Sequence, residues 1–308
     1  MFEAADLVKL FSSGGLLKRR AFKAVDGISF RIDRGETFSL VGESGCGKTT
    51  AGKLALRLIE PTSGKVVFDG VDITRLKGRD LRRLRPRMQM IFQHPDASLD
   101  PRMRIMTSIK EPLRLKGEMK RGEMEGRVMD LMETVGLNPE HAHRYPYQMS
   151  GGQNQRAVLA RALACDPDFI VADEPTSGLD VSVQAQILNL MNELKRDLQL
   201  TTMFITHDLE VARFMSDRMG VMYRGKILEM GDAEEVFRRP VHPFAKLLIS
   251  PDILEGRSQK APDLNGGENG ISGCVYLSRC PFAEEVCMKK EPEMVEVNKD
   301  HQVLCHLA

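Results

Sequence analysis

The sequence predicts an α/β fold with a largely parallel sheet, closed by a small cysteine-rich C-terminal segment. Three observations carry this. Short apolar runs that read as buried strands (ETFSLV at 36–41, FIVA at 169–172, TMFI at 202–205) alternate with stretches of helical periodicity. A Gly-rich turn, GESGCGKT at 42–49, lies between the first of those strands and a helix near Lys48–Leu58. Four of the six cysteines (Cys274, Cys280, Cys287 and Cys305) fall after residue 273.

Composition sets the bounds. In 308 residues, 42% are hydrophobic and 28% charged, the profile of a globular protein rather than a disordered or fibrous one. Lys and Arg total 44 against 43 Asp and Glu, a formal charge of +1. That balance argues against a protein that holds nucleic acid by phosphate attraction. No apolar run approaches the roughly 18–20 residues of a membrane helix. The N-terminus carries acidic residues early, with no basic start and long apolar stretch, so no secretory signal is expected.

Between the second and third strands, Val183, Ile187, Leu190, Met191, Leu194 and Leu198 recur at helical spacing. Residues 94–165, rich in Met, Arg, Leu and Glu, read as a mostly helical insertion. From about Arg218 short strands return (RMGVMYRG, then KILEMG), followed by a short helix containing DAEEVF. Residues 255–273 are polar, Gly-rich and aperiodic, a linker composition.

The turn at 42–49 fits G-x-x-x-x-G-K-[ST] in its strand–turn–helix context. Gly42, Gly45 and Gly47 let the backbone curl so that its N–H groups point inward at phosphate oxygens. The helix N-terminus adds partial positive charge. Lys48 reaches the β- and γ-phosphates, and Thr49 offers a hydroxyl to Mg²⁺. Ser44, Cys46 and Thr50 complete the candidate nucleotide-binding run, Cys46 as a small filler. A turn that merely caps a helix is the plainer alternative, and the full pattern argues against it. At 169–174, FIVADE ends an apolar strand in two carboxylates. Asp173 is placed to hold Mg²⁺, directly or through water, and Glu174 to polarise an attacking water.

Residues 149–153 read MSGGQ. With Gln93 in MIFQHP, SGLD at 177–180 and His207 in ITHD, the motif order resembles the ATP-binding-cassette ATPases over about residues 5–250. The resemblance implies an ABC-type P-loop nucleotide-binding domain at 1–254 with a helical subdomain at about 94–165. A linker at 255–273 and a Cys-rich C-terminal extension at 274–308 follow. It implies that Gln93 senses Mg²⁺ and the attacking water, and that His207 contacts the γ-phosphate. Glu174, His207, Gln93 and Lys48 form the catalytic set; Thr49, Gln93 and Asp173 hold Mg²⁺. Ser150, Gly151, Gly152 and Gln153 meet a nucleotide held mainly by another subunit, and Asp180 lies on the loop that crosses the dimer interface. An aromatic near the N-terminus stacks on adenine, Phe11 first and Phe22 second by spacing; core packing is the alternative for each. Met149 and Asn154 depart from the usual family residues, without removing a phosphate contact.

GESGCGKT, FQHPDASLDPRM, RRPVHPFAKLLIS and the cysteine tail all resemble the branch serving oligopeptide, dipeptide and nickel importers. The resemblance implies ATP hydrolysis that drives import of oligopeptides or dipeptides, with nickel import as the near alternative. A soluble, non-transport cassette ATPase fits less well, since the chain carries one cassette and a modest helical insertion. The implied partners are a second, different ATPase chain, two membrane-spanning permease subunits and an external solute-binding protein, with no nucleic acid. The implied location is the cytoplasmic face of the membrane.

The tail cysteines are spaced C-x5-C-x6-C-x17-C, unlike the paired C-x2-C of common zinc ribbons. Four thiolates suit a [4Fe–4S] cluster or zinc; plain thiols or disulfides are the other readings. A segment this short buries little core alone, so a metal or cross-links are expected to help hold it. His301 and His306 flank Cys305 as substitute ligands or, more plainly, surface residues.

Overall fold

A computed structural model describes residues 1–13, 20–95, 98–249 and 273–308. The expected linker therefore lies, Gly273 apart, outside the described residues. The N-terminal half contains β1 (Phe2–Ser13), β2 (Arg20–Ile32), β3 (Thr37–Val41), α1 (Lys48–Ala55), β4 (Ser63–Phe68), β5 (Val71–Asp72), α2 (Gly78–Leu84), β6 (Met88–Ile91), α3 (Ile105–Lys116) and α4 (Arg121–Thr134). There follow α5 (Gly151–Leu163), β7 (Phe169–Asp173), α6 (Val181–Leu198), β8 (Thr201–Thr206), α7 (Leu209–Met215), β9 (Arg218–Tyr223), β10 (Lys226–Asp232), α8 (Ala233–Arg238) and α9 (Pro243–Ile249). The C-terminal segment holds α10 (Glu285–Lys289), β11 (Met294–Asn298) and β12 (His301–Leu304). The chain divides into two compact units.

The first unit comprises Met1–Phe2, Ile32–Glu36 and Val67–Phe204. Here β6 and β7 run parallel, from Met88 opposite Phe169 to Ile91 opposite Ala172. Every residue of β7 is buried, which is why FIVA reads as a continuous apolar run rather than an alternating one. Phe2 stacks on Phe169 with centroids 5.0 Å apart. Helices α3, α4 and α5 pack on one another. Helix α3 buries Ile105, Ile109 and Leu113, one per turn, and α4 buries Val128, Leu131 and Met132. Pro112 inside α3 has no N–H for the carbonyl of Ser108. The Arg161 side chain of α5 takes that carbonyl instead, Nε to O at 3.2 Å, and pairs with Glu111 at 2.8 Å. A helix-breaking residue is thus absorbed by a cross-helix donor.

The second unit comprises Glu3–Arg31, Thr37–Val66 and Ile205–Ala308. Its strands run in the order β11-β12-β10-β9-β3, with a further run β2-β1-β4. Strand β3, wholly buried, lies parallel to β9. A tight turn at Arg224 and Gly225, both at positive φ (41° and 87°), reverses β9 into antiparallel β10. The largely parallel sheet of the sequence reading is therefore flanked by antiparallel strands. Strand β1 went unread because Asp6, at φ 48°, shifts its alternation: Phe2 and Ala4 are buried, then Leu7.

The C-terminal segment is stitched into this unit. β12 pairs with β10, setting Val303 opposite Glu229, and β11 pairs with β12. Tyr276 is 1% exposed and meets the rings of Tyr223, Phe244 and His242 at 5.2, 5.4 and 5.5 Å. The segment thus shares a core with its neighbours rather than standing alone, and each large side chain buried this way contributes about 1.5–3 kcal/mol. His301, expected at the surface, is buried, with Nε2 2.8 Å from Glu229 Oε1.

His242, 1% exposed, opens α9, and its Nδ1 accepts the Phe244 N–H at 3.0 Å. Burial pushes its pKa down to about 4, with Lys246 adding to the effect. The folded state keeps the ring neutral while the unfolded chain takes up a proton below the ordinary 6.5, so stability falls as pH drops from there toward 4. Glu229 is pushed upward by burial and acts in the opposite sense, so the comparison must isolate His242. His242→Asn keeps an acceptor without titrating. Between pH about 7.5 and about 5, chemical denaturation should show wild type losing about 2 kcal/mol more than this variant. Equal losses would remove His242 as the cause.

Candidate functional site

The expected site residues fall in two groups, one per unit. In the second unit, buried β3 delivers the chain into the turn at 42–49, and α1 begins at Lys48. Gly47 stands at φ 114°, and a Cβ there would drive into the carbonyl oxygen of Ala24. Only glycine fits that approach. Lys48 is 5% exposed, and its Nζ donates to the carbonyls of Gly42 at 2.7 Å and Glu43 at 3.0 Å. The ammonium is thereby drawn back across the turn. Ser44, Gly45 and Thr49 face solvent, and Thr50 is half-buried. Burial raises the Cys46 thiol, and the Cys46 carbonyl accepts the Gly225 N–H at 2.8 Å, so this residue fills space as expected.

His207 is exposed between β8 and α7. Asp208 caps that helix, accepting the Glu210 and Val211 N–H groups at 2.8 and 3.2 Å. Phe11 and Phe22 are 42% and 57% exposed, so core packing is ruled out for both. Lys9 Nζ lies 5.1 Å from the Phe11 ring centre.

In the first unit, β7 ends in buried Asp173, and the next residue, Glu174, takes φ 44°. A non-glycine residue in the left-handed region is uncommon and collects at functional sites. Gln93 Nε2 donates to Glu174 Oε2 at 3.0 Å and lies 3.5 Å from Ser177 Oγ. Ser177 entered the sequence reading only through SGLD; no spacing signal joins it to Gln93. Carboxylate, amide and hydroxyl together form a polar cluster able to orient a water.

The MSGGQ stretch starts α5. Ser150 Oγ accepts the Gln153 N–H at 3.3 Å, and Gln153 Oε1 accepts the Ser150 N–H at 3.0 Å, a reciprocal cap. Gly152 is small for a packing reason: a Cβ would lie 2.5 Å from Val183 Cγ1 of α6. At Gly151 it would lie 3.0 Å from Leu179. Asp180 caps α6, accepting from the Val183 N–H at 2.9 Å and Ser182 Oγ at 2.7 Å. That backbone N–H, with Ser182, holds its carboxyl below the usual range. Asn154 donates to the Pro146 carbonyl at 2.9 Å, which gives this departure a structural role.

Cys274 and Cys287 are buried, and Cys280 and Cys305 are half-buried. Desolvation raises the Cys274 and Cys305 thiols and pushes Cys280 up to about 11. Among the described residues no three His, Cys, Asp or Glu side chains are grouped to hold a metal ion. His306 Nε2 is engaged with the Lys290 carbonyl at 2.8 Å, and His301 with Glu229. The arrangement gives no support to the expected iron–sulfur or zinc site. Sequence reading also missed Arg279, whose Nη1 lies 2.8 Å from Glu43 Oε2.

Comparison with known proteins adds to this geometry. Residues 25–177 match the family described as ABC transporter, and residues 228–287 match the oligopeptide/dipeptide transporter C-terminal region. The oligopeptide transport ATP-binding protein AppF of Bacillus subtilis (strain 168) is 44% identical over 319 residues, covering 100% of this chain and 97% of that protein. The ATP-binding cassette MJ0796, solved as a dimer in a post-hydrolysis state bound to ADP and Pi, superposes with TM-score 0.68 at 30% identity. That match covers 76% of this chain and 99% of the cassette. cbiO1 from Clostridium perfringens, part of the ABC transporter complex cbiONQ, gives TM-score 0.67 at 25% identity, covering 82% and 96%.

The two exposed-face and clamped glycines of the turn should respond differently to alanine. Gly45 (φ 80°) has open space around its Cβ position, so Gly45→Ala pays only the backbone term, about 1 kcal/mol. Gly47→Ala adds the clash with Ala24 and should lose about 3 kcal/mol or more. Urea denaturation of both variants checks the order; equal losses would show that the approach to Ala24 is not rigid.

Proposed function

The chain belongs to the ABC transporter family, and from that membership we propose that it is the ATP-hydrolysing subunit of an importer of oligopeptides or dipeptides. The observation that carries the peptide reading is the match of residues 228–287 to the oligopeptide/dipeptide transporter C-terminal region. The match to the MJ0796 cassette covers 99% of that chain but 76% of this one, so this chain carries length beyond a bare cassette.

In this reading the amides of Gly42 through Thr50, with Ser44, Gly45, Cys46 and Gly47 between them, cradle the phosphates of ATP. Lys48 bridges the β- and γ-phosphates. Phe11 stacks on adenine, with Phe22 the alternative. Thr49, Gln93 and Asp173 would hold Mg²⁺, which when bound neutralises charge on the β- and γ-phosphates. Gln93 and Glu174 orient a water in line with the bond between the γ-phosphorus and the β–γ bridging oxygen. The water oxygen forms a new bond to phosphorus as that bond breaks; the bridging oxygen departs with its electron pair on ADP. Glu174 accepts the proton of the water, and His207 holds a γ-phosphate oxygen.

Ser150, Gly151, Gly152 and Gln153, at the capped start of α5, serve a nucleotide held mainly by a second ATPase chain packed head-to-tail, with Asp180 on the crossing loop. We assign that second chain as different from this one. Two membrane-spanning permease subunits and an external solute-binding protein complete the assembly. Among the described residues no helix is long and apolar enough to cross a membrane. The chain is assigned to the cytoplasmic face, docked on the permease through the loop of Gln93. Residues 1–254 form the cassette and 274–308 its extension.

Reconstitution with the permease and binding protein in liposomes tests the solute: peptides should stimulate ATP turnover, and stimulation by nickel ions but not peptides would overturn the reading. Glu174→Gln tests the chemistry. It should keep ATP affinity within about threefold while turnover falls by about 100-fold or more. Turnover unchanged from wild type would remove Glu174 from the role.

A further inference from the structure

Glu43 is the one acidic residue within the phosphate loop at 42–49. Its carbonyl already holds the Lys48 ammonium at 3.0 Å, so its backbone belongs to the phosphate-binding curve itself. Its side chain is held from far away in sequence. Arg279, 236 residues on, donates Nη1 to Glu43 Oε2 at 2.8 Å. The guanidinium is itself fixed. Arg279 closes the short turn Leu277–Arg279, and its N–H donates to the Tyr276 carbonyl at 3.0 Å. The buried Tyr276 anchors that turn against Tyr223, and the guanidinium lies over the Tyr223 ring at 5.7 Å from its centre. Ring stacking and a paired carboxylate together restrict a side chain that would otherwise sample solvent.

A carboxylate in a loop built to receive a polyphosphate opposes that ligand by like-charge repulsion. A guanidinium paired to it cancels the charge and fixes the side chain. We propose that Arg279 is a positioning residue of the nucleotide site: by pairing with Glu43 it neutralises the loop's carboxylate and holds it off the phosphates. This rests on the assignment of ATP to the loop. It makes the C-terminal segment part of the nucleotide-binding apparatus, contributing a charge rather than a phosphate ligand. The two side chains are 42% and 40% exposed, so the effect is modest and screened by salt.

The test uses full-length protein and the affinity for a fluorescent ATP analogue. Arg279→Met keeps an unbranched stem over Tyr223 and removes the charge. Its Kd should rise about three- to fivefold at low ionic strength, and the rise should shrink in about 0.5 M salt. The loss should vanish once the loop carboxylate is absent: Arg279→Met made in a Glu43→Gln background should bind the analogue as Glu43→Gln alone does. A purely packing role for Arg279 would leave the double variant about three- to fivefold weaker than Glu43→Gln alone, and that outcome overturns the proposal. So does wild-type affinity in Arg279→Met at low salt. Should Arg279→Met not fold, the charge-reversed pair, Arg279→Glu with Glu43→Arg, replaces it: affinity recovered over Arg279→Glu alone supports the proposal, and no recovery overturns it. Failure of wild type to bind the analogue would overturn both this proposal and the ATP assignment.

Discussion

The close approach of neighbouring backbone to the phosphate loop is the constraint on which the second unit depends. A side chain at Gly42 would collide with the carbonyl of Met222 in β9, and one at Gly47 with the carbonyl of Ala24 in β2. The loop is therefore gripped on two sides by strand carbonyls, and the same hairpin supplies hydrogen bonds. Gly225 N–H donates to Cys46 at 2.8 Å, and Asp26 N–H donates to Gly225 at 2.9 Å. Such a grip leaves little freedom for loop amides to turn away from an anion, which is preorganisation in its simplest form. Everything that fixes the β9–β10 hairpin also fixes the loop. Tyr223 at the end of β9 receives Phe244 and Tyr276, and β10 receives β12.

In the first unit the organising device is the helix cap. Ser150 and Asp180 each stand in a motif assigned to the proposed site, and each satisfies orphan amides at a helix start. Asp208 does the same in the second unit, directly after His207. On the proposed function, these motif residues carry a structural duty besides the assigned one. The glycines of MSGGQ show the same economy: their bareness admits Leu179 and Val183 while exposing a helix N-terminus. Loss of function on changing such a residue therefore mixes folding with chemistry, and Gln93, which reaches Glu174 and Ser177 without capping anything, is the cleaner reporter of chemistry.

Legibility in the sequence followed burial and sequence separation. β3, β7 and β8 were readable because strands buried along their whole length must be apolar throughout. The loop was readable because its chemistry is local, eight residues in one turn. β1 was hidden by the phase shift at Asp6. β11 was hidden because it is largely exposed and Met294–Asn298 alternates polar and apolar residues without a buried face. The pairing of His301 with Glu229 lies 72 residues apart and that of Arg279 with Glu43 lies 236 apart, beyond any spacing rule. The cysteines show a related limit. Their clustering in sequence reads as a ligand set, and spacing gave no sign that Cys274 and Cys287 also belong to the apolar cluster that holds Tyr276 and Leu277. Free cysteine behaves there as a small hydrophobe.

That last point changes what the C-terminal segment is. A clip held by a metal could come and go with the metal while leaving the cassette as it was. A segment held by β-pairing to β10 and by Tyr276 in the shared core cannot: removing it would strip a sheet edge, uncover the Tyr223 and Phe244 rings, and free Glu43. Glu229 would lose as well, since His301 of this segment answers a carboxylate otherwise bonded, among the described residues, to the backbone N–H groups of Val241 and His242. A buried carboxylate without one of its donors is costly. The segment is thus continuous, in energetic terms, with the strands that grip the phosphate loop, joined to them by the Tyr223–Tyr276 contact and to the loop itself by the Arg279–Glu43 pair.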